Sequence, residues 1–252
     1  MHVSIIPIPP IAPVAPVTEA RRSLPSRPGY QLGRKRQTAS RVCRLVLAVV
    51  AALGVLMPQP ALALTLAALG DSLTAGWGLP ADDAYPARLT RALAENGRTV
   101  EILNFGISGD TTAGGLARLD AVLAAAPDGV ILELGANDML RGMNPAIARA
   151  NLDAIMGRLT AARVPILLCG IQAMRNYGRA YAEEWEAIYV ELAQKYDAVL
   201  YPSFLDGVTG VPGMAMPDGL HPTAGGVAAM VQRSLPTVET FLARLGTARA
   251  AP

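Results

Sequence analysis

Five short apolar runs, each followed by a longer stretch of helical character, constrain this chain more than any other feature. The runs are L-T-L-A-A-L (64–69), T-V-E-I-L-N-F (99–105), G-V-I-L-E-L (129–134), V-P-I-L-L-C (164–169) and D-A-V-L-Y-P (197–202). Helical patterns lie near 84–96, 112–126, 145–162, 179–195 and 223–244. Strands separated by helices of this length cannot pair through tight hairpins. They form a parallel sheet with helices on both faces, an α/β class. One domain from Leu64 to Pro252 suits that plan, and no linker or internal repeat divides it.

Residues 1–63 obey different rules. Residues 4–17 carry too many prolines for a helix or a central strand. Residues 21–44 hold eight Lys and Arg and no acid, followed by thirteen apolar residues from Leu45 to Met57 and the small-residue end Ala61-Leu62-Ala63. A basic region, a short apolar core and such an end read as an export signal cleaved after Ala63. As a helix, thirteen residues span about 20 Å, short of the roughly 30 Å hydrocarbon layer, so no stable membrane anchor is expected. The predicted location is the periplasm or the medium. Residues 1–40 have no assigned physical role.

Removing that leader reverses the charge. It holds eight of the 22 bases and one of the 20 acids, which leaves fourteen bases, nineteen acids and a net −5. No basic patch remains to bind nucleic acid. Cys43 leaves with the leader, so Cys169 stands alone within a strand-like run and reads as a buried, inert thiol. One histidine and one cysteine do not make a zinc site, and no metal or cofactor is expected.

In parallel sheets the connections at the carboxyl ends of the strands carry the chemistry. Here they are G-D-S-L-T-A-G (70–76), G-I-S-G-D-T (106–111) and G-A-N-D-M-L-R-G (135–142), with P-D-G-L-H-P (217–222) ahead of the last helix. His221 is the single histidine after the leader and sits in a loop, which suits a general base. Asp218, three residues earlier, can reach its other ring nitrogen within one tight turn. Ser72 follows the first strand and is the preferred nucleophile, although the same position also suits a helix cap. Ser108 is its rival, in a setting better suited to presenting backbone N–H groups. Gly109 can offer such an N–H to a developing oxyanion, and Asn137 a side-chain amide. Asp138, an acceptor when ionised, reads with Asp71 as loop support. The G-x-S-x-G elbow is absent.

Those residues carry a resemblance. G-D-S-L-T-A-G-W-G, N-F-G-I-S-G-D-T-T-A-G-G-L-A-R-L (104–119), V-I-L-E-L-G-A-N-D-M-L-R-G (130–142) and D-G-L-H-P (218–222) resemble, in order and spacing, four blocks of the GDSL, or SGNH, hydrolases. The likeness is to the exported bacterial thioesterase I/lysophospholipase L1 and arylesterase subgroup, and it runs across nearly all of residues 64–245. It implies a three-layer α/β/α sandwich with a five-stranded parallel sheet. It implies Ser72 as nucleophile, His221 as base, Asp218 as its partner, and an oxyanion hole of the Ser72 N–H, Gly109 and Asn137. The implied partner is a small ester or thioester, acted on by a monomer without a cofactor. Two other readings are open: deacetylation of a glycan by the same residues, and a carbohydrate-binding module that keeps the fold without chemistry. Met174-Arg175 replaces the proline-alanine often seen before N-Y-G in the family, at the expected substrate entrance.

Overall fold

The computed structural model describes residues 63–250, so the expected signal segment lies outside the described residues. The five apolar runs form β1 (Leu64–Gly70), β2 (Val100–Gly106), β3 (Gly129–Glu133), β4 (Ile166–Cys169) and β5 (Val199–Tyr201). All pair in parallel, in the order β2-β1-β3-β4-β5. The register aligns Leu69 with Phe105 on one side and with Leu132 on the other. Leu66, Leu69, Leu132 and Leu168 are fully buried. Each such side chain contributes about 1.5–3 kcal/mol by leaving water.

The helices are α1 (Ser72–Ala75), α2 (Tyr85–Glu95), α3 (Thr112–Ala117), α4 (Leu119–Ala124), α5 (Ala136–Leu140), α6 (Pro145–Ala161), α7 (Arg179–Lys195) and α8 (Ala224–Ala250). Local chemistry sets their limits. Asn144 caps α6 by accepting from the Ala146 N–H at 2.9 Å, and Pro145 fills the first helical position, where no N–H is needed. Leu152, Ile155, Met156 and Leu159 then recur at helical spacing along its buried side. Helix α2 packs against α8, α6 against α3 and α7, and α7 against β4 and β5. These contacts build the expected three layers.

One segment departs from the expected pattern. The stretch read as a single helix near 112–126 is two, joined at Arg118. Its guanidinium donates to the Phe105 carbonyl at 2.6 Å, to the Gly70 carbonyl at 2.9 Å and to Asp110 at 2.7 Å. That threefold tie clamps the ends of β1 and β2 to the loop after β2.

The sheet order reverses at β1. The chain runs outward to β2, then crosses back to β3 on the other side, which opens a crevice at the carboxyl ends of β1 and β3. The β1 exit leads into Ser72 and the β3 exit into Asn137.

Candidate active site

Ser72 is the first residue of α1, and Asp71 is the cap before it. One Asp71 oxygen accepts from the Leu73 N–H at 3.0 Å, as a cap should. The cap is thus Asp71 and not Ser72, as the alternative sequence reading has it: the serine is the first helical residue, and its side chain is left free to be presented at the strand end. Its hydroxyl lies 2.9 Å from Nε2 of His221, across 149 residues of chain. Nδ1 of His221 lies 2.7 Å from Oδ2 of Asp218. The other Asp218 oxygen accepts from the backbone N–H groups of Leu220 (2.9 Å) and His221 (3.0 Å). The loop is closed by an antiparallel bridge between Ala215 and Pro222 and by the Met216 N–H donating to the His221 carbonyl at 2.7 Å.

Asp218 is exposed, yet its carboxyl is lowered to about 2. The His221 backbone N–H, the His221 side chain and the Leu220 N–H all favour the ionised form. A charged acceptor on Nδ1 favours that nitrogen as the donor and leaves the Nε2 lone pair facing the Ser72 hydroxyl.

The oxyanion candidates are placed differently. Asn137, early in α5, donates its amide to Oδ2 of Asp71 at 3.1 Å and lines the same cleft as Ser72 and His221. Gly109 sits in the loop after β2 at φ 81°, and its carbonyl accepts from Arg141 at 3.0 Å. Its N–H has no partner among the described residues. Hydrogen bonds thus join Ser72, His221 and Asp218 in one line and Asn137 to Asp71 in another, while the Gly109 carbonyl is tied to Arg141, the residue that ends α5. Asp138 is fully buried away from the cleft and accepts from the N–H and hydroxyl of Thr112 at 2.9 and 2.6 Å, which fixes the start of α3. The rival Ser108 makes no comparable contact with His221 among the described residues.

Glu133, the last residue of β3, escaped the sequence reading. It is fully buried under the serine, where Oε2 accepts from the Thr74 hydroxyl at 2.7 Å and the Asp71 N–H at 3.3 Å. Only glycine permits this at position 70. A Cβ there would lie 2.0 Å from the Thr74 hydroxyl and 2.6 Å from Glu133 Oε2. Burial raises Asp71 to about 6 and pushes Glu133 well up, reinforced there by the Asp71 charge. Both carboxyls therefore resist ionisation, Glu133 the more so because Asp71 also accepts from Leu73 and Asn137, whereas Oε1 of Glu133 has no hydrogen-bond partner. The available signal was an acid inside the apolar run V-I-L-E-L.

The cleft beside the serine measures about 540 Å³ and is walled largely by apolar side chains, among them Leu73, Met139, Ile171, Leu205 and Leu220. The side chain of Arg175 lies outside the described residues. A depression lined by Arg163, Tyr196, Phe241 and Arg244 at the amino ends of β4 and β5 offers no serine, histidine or cysteine.

A serine, an imidazole and a carboxylate in hydrogen-bonded sequence at a sheet switch point form the arrangement of serine-type hydrolases. The chain belongs to the GDSL-like lipase/acylhydrolase family, whose model matches residues 68–229. It is 42% identical to esterase TesA of Pseudomonas aeruginosa over 75% of this chain and 94% of that protein. It is also 42% identical to thioesterase 1/protease 1/lysophospholipase L1 of Escherichia coli K12, over 63% of this chain and 75% of that protein. The crystal structure of a TesA superimposes with a TM-score of 0.67 at 41% identity, covering 70% of this chain and 98% of that one.

Proposed function

We propose that Ser72 is the nucleophile, His221 the general base and Asp218 its orienting partner in an exported esterase or thioesterase. The observation that carries this reading is the unbroken line from Ser72 Oγ to His221 Nε2 (2.9 Å) and from His221 Nδ1 to Asp218 (2.7 Å). In the first step His221 takes the hydroxyl proton as Ser72 Oγ attacks the acyl carbonyl. The oxyanion collects hydrogen bonds from the Ser72 and Gly109 N–H groups and from Asn137. Collapse expels the alcohol or thiol with the proton from His221. Water, deprotonated by the same imidazole, then releases the acid and restores the serine.

For the Asn137 amide to serve the oxyanion it turns part of its donor capacity from Asp71 to the substrate. An amide has two N–H donors, so one stays on Asp71 while the other faces the cleft. The apolar walls favour a short or medium acyl chain over a sugar, in keeping with relatives named as an esterase, an arylesterase and a thioesterase/lysophospholipase. Export rests on the leader pattern; protein recovered from an exporting host should begin at Leu64.

The test is labelling with a serine-reactive fluorophosphonate alongside turnover of p-nitrophenyl acetate and an acyl thioester. Ser72→Ala should lose the label and at least about 10³-fold in kcat/KM, and His221→Ala should lose a comparable amount, while Ser108→Ala changes little. Label on Ser108, or near-native turnover in His221→Ala, overturns the assignment.

A further inference from the structure

A contact on the face of the His221 ring remains outside the scheme above. The Trp77 ring lies over the imidazole, with centroids 4.3 Å apart and planes tilted by 30°. Trp77 is 47% exposed, so the core does not require it there. Its place follows from how α1 ends. Gly76 takes the left-handed conformation, φ 82°, and both its N–H and that of Trp77 donate to the Ser72 carbonyl at 3.1 Å. The chain therefore turns back after a single helical turn and delivers the indole beside the serine's own backbone. The next residue, Gly78, approaches Met216 so closely that a Cβ would stand 3.2 Å from its terminal methyl. The loop carrying the serine and the loop carrying the histidine are thus packed together at this point.

We infer that Trp77 is a positioning residue for the proposed reaction, holding the imidazole plane and stabilising its protonated form while the serine attacks. The inference rests on the roles assigned to Ser72 and His221. The physical case has two parts. The two hydrogen bonds of His221 leave from opposite edges of the ring and lie in its plane. They fix where the nitrogens sit but leave the ring able to rock about the line between its partners. A second ring on the face removes that motion. The indole is also the best aromatic partner for a cation above its face, so it favours the imidazolium formed when the serine loses its proton. Asp218, from its own loop, and Asp71, from the β1–α1 turn, interact electrostatically with His221, and Glu186 of α7 lines the same cleft. Trp77 adds an uncharged surface whose attraction appears only when the ring is protonated.

Indole emission provides a direct readout, because a protonated imidazole in ring contact quenches it. The chain's other tryptophan, Trp185, is fully buried and stacked on Tyr181, and gives a constant background. Emission and kcat/KM for a soluble ester are measured on the whole protein from about pH 5 to 9. The expected result is that emission falls on acidification in step with the acid limb of kcat/KM, and that this fall vanishes in His221→Ala. Trp77→Ala should lose about 5- to 30-fold in kcat/KM, mostly in kcat, and its acid limb should move to lower pH. Trp77→Phe should stay within about threefold of the native protein with its limb in place. Emission that ignores the limb, a Phe variant as impaired as the Ala variant, a Trp77→Ala limb that does not move, or a loss under about twofold each overturns the role. Fluorophosphonate labelling of the native protein keeps the two readings apart. Absence of label on Ser72 defeats both, whereas label with flat emission defeats the Trp77 role alone.

Discussion

Two acidic environments flank Ser72, and they are built on opposite principles. Asp218 stands in an exposed loop, lowered to about 2 by two backbone N–H groups and an imidazole that all reward its charge. On the other side, Asp71 and Glu133 are buried together, with Asp71 raised to about 6 and Glu133 pushed higher. The exposed acid is ionised at neutral pH and directed at the His221 ring. The buried pair resists ionisation and is directed at the scaffold, through the cap of α1 and the amide of Asn137. A charge is cheap to maintain where water and N–H groups support it, and costly where they do not. The difference assigns electrostatic work to the loop and geometric work to the buried pair.

The largest expected effect comes from breaking the exposed side. Asp218→Asn should cost about 10³–10⁴ in kcat/KM, because the side chain can present an N–H to Nδ1 and favour the wrong tautomer of His221. Steady-state kinetics with unchanged circular dichroism check this, and a loss under about tenfold would show that the loop backbone alone orients the ring. Next comes Asn137→Ala, with a kcat lower by about 10²–10³ and a smaller change in KM, the pattern for a donor used mainly in the transition state.

A smaller effect is expected on the buried side. Asp71→Asn keeps an acceptor for Leu73 but turns an N–H toward the Asn137 amide, so kcat should fall about tenfold as that amide is displaced. Smallest for activity is Glu133→Gln, which keeps the shape and can supply the hydrogen bonds of the protonated acid. Turnover should stay within about threefold, but stability should change with pH. Glu133 has a folded value above its ordinary 4.5, so between those two values the folded state binds more protons than the unfolded chain. Native stability therefore falls as pH rises through that window, and Asp71 adds the same slope between its ordinary 3.8 and about 6. Thermal unfolding should find Glu133→Gln gaining on the native protein as pH rises from about 4 to 8. A constant difference across that range would place the proton elsewhere.

The five strands were legible because each is a short apolar run bounded by polar turns, the pattern that burial on both faces demands. Ser72 and Asn137 stood out as candidates because polar residues clustered at strand ends have no packing purpose there, and His221 because it is the single histidine after the leader. The pairing of Asp218 with His221 followed from a three-residue spacing that one turn can close. Other features depended on contacts across the sheet. Arg118 sits at a helical spacing and reads as part of one helix, but its guanidinium binds carbonyls at the ends of two strands, and the helix breaks to let it. Glu133 went unread because its burial depends on β1 lying beside β3 and on Gly70 letting it approach Thr74. The indole over His221 required two loops 144 positions apart to meet.

The distance along the chain between Ser72 and His221 also sets a timetable. The proposed nucleophile leaves the ribosome 149 residues ahead of its proposed base, a lag of about 7–30 s at ordinary elongation rates. Throughout that interval the nascent polypeptide carries a serine no more reactive than any other alcohol. In the proposed scheme chemistry begins only when the His221 loop docks, after all five strands have been synthesised. A message truncated anywhere before codon 221 would then yield a product without its base, inert rather than poorly controlled.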